Sequence, residues 1–142
     1  MEIPESSVTI DDDGRTMHLH SEARTADYPS HLHAITYSPG FALVRNSYGP
    51  NAEMVMYNSA QPIDRHTTLM RWTLMVRREI EDLAGDDVMK GIISGLGDDY
   101  PIWANKVHRR RPVFCKGDDT LVTFRKWVRQ FYITSEDKRE IA

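Results

Sequence analysis

Between His33 and Arg77, short β-prone runs alternate with turn chemistry, and this succession constrains the fold more than any other feature of the chain. Residues 34–37 (Ala-Ile-Thr-Tyr) precede Ser38-Pro39-Gly40. Residues 41–48 then precede Gly49-Pro50-Asn51, and residues 53–59 precede Pro62-Ile63-Asp64. A long strand is expected over 66–77. Four or five strands joined by such short turns predict an antiparallel meander with one face packed and one partly wet. In the long strand Thr68, Met70, Trp72, Leu74 and Val76 share one face and form the expected core side.

Upstream, Asp11-Asp12-Asp13-Gly14 reads as a tight turn, because Asp accepts local hydrogen bonds and Gly supplies positive φ. Extended segments flank it at 8–10 and 17–20. On the second, His18 and His20 share one face and Met17 and Leu19 the other. A calcium loop is excluded, since the spaced acidic ligands and the closing glutamate are missing. With 142 residues, 40% of them hydrophobic, the chain is expected to form a single domain over 1–142, frayed over 1–12 and 135–142. A net charge of −3 lacks the phosphate-neutralising footprint of a nucleic-acid binder. One cysteine excludes an intrachain disulfide. Neither a leader nor a membrane-spanning run is visible, so a cytoplasmic protein is expected.

After residue 85 the period becomes helical. Asp86 or Asp87 can cap a run reaching about residue 107, on which Val88, Ile92, Leu96, Trp103 and Val107 form an apolar stripe. Asp99 falls on the same stripe and is expected to face inward, where a carboxylate must be paired, hydrogen-bonded or bound to metal. An N-cap role for Asp98 or Asp99, with Pro101 just inside a new turn, is the alternative. Gly91, Gly95, Gly97 and Pro101 interrupt the run and predict a kink or split near Asp98. Gly95-Leu96-Gly97 lacks the preceding strand and third glycine of a nucleotide loop.

Beyond the run, residues 108–111 (His-Arg-Arg-Arg) read as a solvated helix end, with an anionic ligand or acidic partner as the alternative. Cys115 reads as a packed thiol, and a last helix starts at Asp119 with Leu121, Phe124, Val128 and Phe131 at helical spacing. The expected class is thus α+β: an antiparallel sheet packed on a long C-terminal helix, plus a final helix.

Three blocks then point to a family. Residues 98–106 (Asp-Asp-Tyr-Pro-Ile-Trp-Ala-Asn-Lys), 109–118 (Arg-Arg-Arg-Pro-Val-Phe-Cys-Lys-Gly-Asp) and 124–132 (Phe-Arg-Lys-Trp-Val-Arg-Gln-Phe-Tyr) resemble the C-terminal end of the large subunit of Rieske-type non-haem iron oxygenases. The closest flavour is the 3-ketosteroid 9α-hydroxylase and cholesterol 7-desaturase group, over about residues 64–132. The resemblance implies a helix-grip (START-like) domain, whose curved sheet wraps a long helix around a cavity. It also implies one Fe(II) held by two histidines and a carboxylate, the carboxylate position being Asp99.

The chain departs from that pattern. A single cysteine cannot hold the family's [2Fe–2S] cluster, and no Asp-x-x-His-x-x-x-x-His segment supplies the iron histidines, so residue 1 is expected to lie just downstream of it. His18 with His20, or His31 with His33, are the substitute imidazole pairs for Asp99. Iron is therefore expected to be completed by another chain. Three functions follow: a C-terminal portion or split subunit of an oxygenase hydroxylating a steroid-like or aromatic substrate, a metal-free helix-grip module for a hydrophobic small molecule, or a non-catalytic assembly subunit. No residue is assigned a catalytic role. Met70, Trp72, Leu74, Ile92 and Leu96 are pocket-lining candidates or plain core. Trp103, Trp127 and Tyr132 are expected between the two helices, and the exposed apolar surface of a partial sheet predicts a Rieske oxygenase chain or a homo-oligomer as partner.

Overall fold

A computed structural model describes residues 5–24, 29–48, 52–107, 109 and 111–132. Six strands, β1 (Glu5–Ile10), β2 (Met17–Arg24), β3 (Pro29–Ser38), β4 (Phe41–Tyr48), β5 (Glu53–Pro62) and β6 (Thr68–Val76), pair in sequence order into one sheet. Every pairing is antiparallel. Helices α1 (Arg78–Ala84), α2 (Asp86–Ala104) and α3 (Asp119–Val128) follow, and a 3-10 turn over Arg129–Phe131 closes the described chain.

The meander is the expected one, with an added strand. Residues 5–10, expected to fray, form β1 by pairing along β2 from Glu5 opposite Glu22 to Ile10 opposite Met17. The Asp-rich turn forms as expected. Gly14 takes φ 74°, its N–H donates to the Asp11 carbonyl at 2.8 Å, and Asp11 N–H donates to the Thr16 carbonyl at 3.0 Å.

The fold is α+β, but the sheet is not shown packed on a long C-terminal helix. Gly85, at φ 50° and ψ −136°, breaks the chain into α1 and α2. Of the kink or split expected near Asp98, the split does not occur: α2 runs as one helix through Pro101. Pro101 lies in the last turns and removes one ladder bond, while the glycines cost propensity, about 1 kcal/mol each, without removing any bond. The Asn105 side-chain amide donates to the Pro101 carbonyl at 2.8 Å, and α2 ends there. The basic run therefore lies beyond the helix. Arg109 and Arg111 are exposed, and His108 and Arg110 lie outside the described residues. Cys115 is exposed rather than packed.

The buried core sits under α3. Met17 of β2, Trp127 and Val128 are each 5% exposed, with Val8, Phe124, Phe131 and Tyr132 packed around them. Trp127 Nε1–H donates to the Gly14 carbonyl at 2.9 Å, and the Gln130 side-chain amide donates to the same oxygen at 2.9 Å. Trp127 thus ties the last helix to the first hairpin rather than to α2, while Trp103 stacks on Trp72 of β6.

Elsewhere burial is shallow. Among the described residues Ile93, Tyr100, Ile102, Val107 and Val113 are each at least 61% exposed. On α2, Met89, Ile93 and Tyr100 form a second apolar stripe open to solvent. Among the described residues, no helix is long and apolar enough to cross a membrane.

Trp127→Ala should cost about 3–5 kcal/mol in chemical denaturation, the range for emptying a buried aromatic site. Trp127→Phe should keep most packing, lose the bond to Gly14 and cost about 1 kcal/mol.

Candidate functional site

Strand register sorts the side chains into two chemistries. Val8, Leu19, Ala34, Val44, Met56 and Leu74 form a single cross-strand row, and Met17, Thr36, Ala42, Asn58 and Trp72 form the next. Directly opposed residues share a face, so one side of the sheet is apolar from edge to edge. α3 rests on that side at β1 and β2, and α2 meets it at β6 through the Trp72–Trp103 stack, whose centroids are 5.8 Å apart.

Between β5, β6, α1 and α2 this side opens into a cavity of about 400 Å³ lined by Ala52, Met54, Val76, Ile80, Gly91 and Ile92, with Glu53 and Asp87 its charged members. A neighbouring space of about 510 Å³ shares Val76 and Ile80 and adds Leu74 and Met89. The first is apolar with few polar groups, the kind of lining that suits a small hydrophobic molecule, whereas the second also carries Glu81 and Asp86.

Of the pocket candidates, Ile92 and Leu74 line these spaces. Trp72 is committed to its stack, Met70 is 43% exposed and Leu96 is half-buried on α2. Met54 and Ile80 were not singled out from sequence, and Val76 and Gly91 were read as core face and helix interruption rather than as pocket lining. The alternation of residues 53–57 carried a signal for Met54, whose opposition to Val76 fixes its face. Asn58 was also missed. It sits between Ala42 and Trp72 on the apolar side, and its Oδ1 is shut off from solvent with no hydrogen-bond partner among the described residues. Such an acceptor costs about 1–3 kcal/mol.

Asp99 is exposed on α2. Leu96 and Trp103 on its stripe are half-buried, but nothing in the described chain covers the flank where the carboxylate stands. His18, His20, His31 and His33 occupy the opposite side of the sheet, by the same parity that points Met17 and Leu19 toward α3. The structure therefore does not bring Asp99 and these histidines together. Among the described residues, no group of three or more His, Cys, Asp or Glu side chains is arranged to hold a metal ion.

The histidines do meet one another. His20 lies directly across from His33, their ring centroids 4.2 Å apart, and His18 stands 5.3 Å from His33. His18 Nδ1 is 3.1 Å from His33 Nε2, and His18 Nε2 is 3.1 Å from an Asp11 carboxylate oxygen. His31 pairs with Glu22 at 3.4 Å. A concavity of about 230 Å³ beside them includes Arg45, which follows His33 in the cross-strand row. Burial holds the His33 pKa below its ordinary value, and the nearby His20, His18 and Arg45 push it in the same direction.

A family profile described as the 3-ketosteroid 9alpha-hydroxylase C-terminal domain matches residues 4–132. The oxygenase component of 3-ketosteroid-9-alpha-monooxygenase from Rhodococcus rhodochrous is 26% identical over 117 residues, which are 76% of this chain and 31% of that protein. The corresponding component from Mycolicibacterium smegmatis (strain ATCC 700084 / mc(2)155) is 26% identical over 111 residues, 71% of this chain and 29% of that one. That from Mycobacterium tuberculosis (strain ATCC 25618 / H37Rv) is 24% identical over 110 residues, 71% and 28%. The chain thus spans about a third of the length of the curated relatives it matches.

Two outcomes follow from this geometry. Asn58→Leu should raise stability by about 1 kcal/mol, since it replaces an unmet acceptor by a group of similar volume; a loss in denaturant melts would assign Asn58 a structural bond. A lowered His33 pKa favours the neutral ring in the fold, so its contribution is present above the unfolded value of 6.5 and is lost as pH falls through the lower folded value. Stability should fall between pH 7 and pH 5, with a shallower slope in His33→Gln, against the background of Asp11, Glu22, Arg45 and the other three imidazoles.

Proposed function

The chain belongs to the 3-ketosteroid 9alpha-hydroxylase C-terminal domain family, and from that premise we propose that it is the C-terminal portion, or a split subunit, of the catalytic domain of a Rieske-type non-haem iron oxygenase. The observation that carries this reading is the profile match, which extends across all six strands and all three helices, from 4 to 132. In this reading the sheet and α2 are part of a helix-grip (START-like) domain. Its apolar side forms a wall for a steroid-like or aromatic substrate, with Met54, Val76, Ile80 and Ile92 as the contact surface.

The donors of the described residues do not fit an iron centre by themselves. Asp99 is one exposed carboxylate on α2, and the imidazoles lie across the sheet. Asp99 is then a donor that this chain offers toward a metal completed by another polypeptide, which would also bring the iron histidines and the [2Fe–2S] cluster. The open Met89, Ile93 and Tyr100 stripe supports a Rieske oxygenase chain or a second copy as partner. The same donor positions favour a second reading, a metal-free module that holds a hydrophobic ligand; an assembly subunit would hold none.

Androst-4-ene-3,17-dione, a 3-ketosteroid, should quench the tryptophan emission of the purified chain saturably. Gly91→Leu fills the cavity from an exposed helix position where a Cβ meets no other atom within 4 Å. Helix propensity rises in that variant by roughly 1 kcal/mol, so stability should hold while affinity falls about tenfold or more, a loss of at least ~1.4 kcal/mol. Unsaturable quenching, or equal affinity in the variant, would remove ligand holding from this cavity and leave the assembly role.

A further inference from the structure

Three imidazoles gather on the side of the sheet turned away from α2 and α3, where the family reading gives them no role. Strand geometry puts them there. His18 and His20 are two residues apart on β2 and therefore share a face, and His33 on β3 is paired directly with His20. This arrangement, two imidazoles from one strand and a third from its neighbour, lets three donors approach one point without any loop.

The hydrogen bonds fix the tautomers. A carboxylate only accepts, so the Asp11 contact at 3.1 Å requires the proton of neutral His18 to sit on Nε2. His18 Nδ1 is then a bare lone pair, and His33 Nε2, 3.1 Å away, donates to it. If the His33 proton moves to Nδ1 of its own ring, two lone pairs face the same space with no change in net charge. With metal–nitrogen bonds of about 2.0–2.1 Å, two nitrogens at that separation subtend roughly 100° at the ion, close to tetrahedral. Asp11 would stay on the His18 Nε2–H as the outer carboxylate that orients a ligating imidazole.

We propose that His18, His20 and His33 form a binding site for a first-row divalent transition metal of the Zn2+, Ni2+ or Cu2+ class on the outer side of the sheet. As the side chains stand, the rings are nearly parallel, His20 and His33 within 15° and His18 and His33 within 25°, so three donors do not yet share a point. Binding requires the His18 and His33 rings to tilt toward an ion lying off their N···N line, and the His20 ring to turn in from 4.2 Å as the third donor. Water completes the shell. Solvent reaches the site, since His20 is exposed and the His18 side chain is 22% exposed. Asp11 and Glu22 offset the positive charge of Arg45 beside it. Imidazole donors select this class of metal over Mg2+ or Ca2+, which take oxygen ligands.

The test is calorimetric titration of the full chain with Zn2+ alone at neutral pH, with the fold of each variant checked by circular dichroism. One equivalent should bind saturably. His18→Ala and His33→Ala should abolish that binding, and Asp11→Asn should weaken it roughly tenfold to hundredfold, the usual effect of removing an outer-shell partner. His66→Ala, remote from the cluster, should leave it unchanged. Co2+ loading of the unaltered chain gives a readout that needs no variant: the intense visible bands of a tetrahedral nitrogen site are expected. No saturable Zn2+ binding, binding that persists in His18→Ala or His33→Ala, or an octahedral Co2+ spectrum would each overturn the proposal.

Discussion

One parity runs through all six strands. Each strand pairs antiparallel with the next in sequence order, and the register shift at Thr36/Ser38 falls at the end of β3, so a residue's odd or even place decides which side of the whole sheet it faces. A slip of one residue in any pairing would turn that strand's apolar set to water and its polar set to the core. The apolar rows, the histidine cluster and the resting places of α2 and α3 all depend on that register being held.

What holds it is concentrated at one end. Trp127 and Val128 close over Met17, and the Gly14 carbonyl accepts from both Trp127 and Gln130, which joins chain segments more than a hundred residues apart. At the other end, β5 and β6 meet α1 and α2 around Val76 and Ile80, where space remains instead of packing. The division is physical: the α3 end closes over Met17, Trp127 and Val128, while the α2 end leaves apolar surface in contact with water. The unfilled half of the apolar side is thus the part of the sheet that the described chain does not itself cover.

Much of this was legible in order along the chain. Turn residues at 38–40, 49–51 and 62–64 marked the meander, and alternation in 68–76 put Thr68, Met70, Trp72, Leu74 and Val76 on one face, of which the last three are half-buried and Thr68 and Met70 exposed. β1 was legible only as a short extended segment, because its stabilisation comes from pairing with β2 and contact with α3, neither of which is local. The helix start after Gly85 was legible, but α1 before it was not, and the continuity through Pro101 was missed, since propensity counts the cost of each residue but not the bonds that the rest of the helix keeps.

The candidate site shows the same boundary. Periodicity by itself determined the strand succession, the face shared by His18 and His20, and the stripe holding Ile92, Leu96, Asp99 and Trp103, because these follow from the repeats of two and 3.6 residues. Only the tertiary structure decided that His33 comes opposite His20, that Met54 and Val76 share a cavity with Ile92, and that Asp99 stands in solvent across the sheet from every described imidazole of β2 and β3. The reason is that a stripe states which residues point together, while burial depends on whether another surface arrives to cover them.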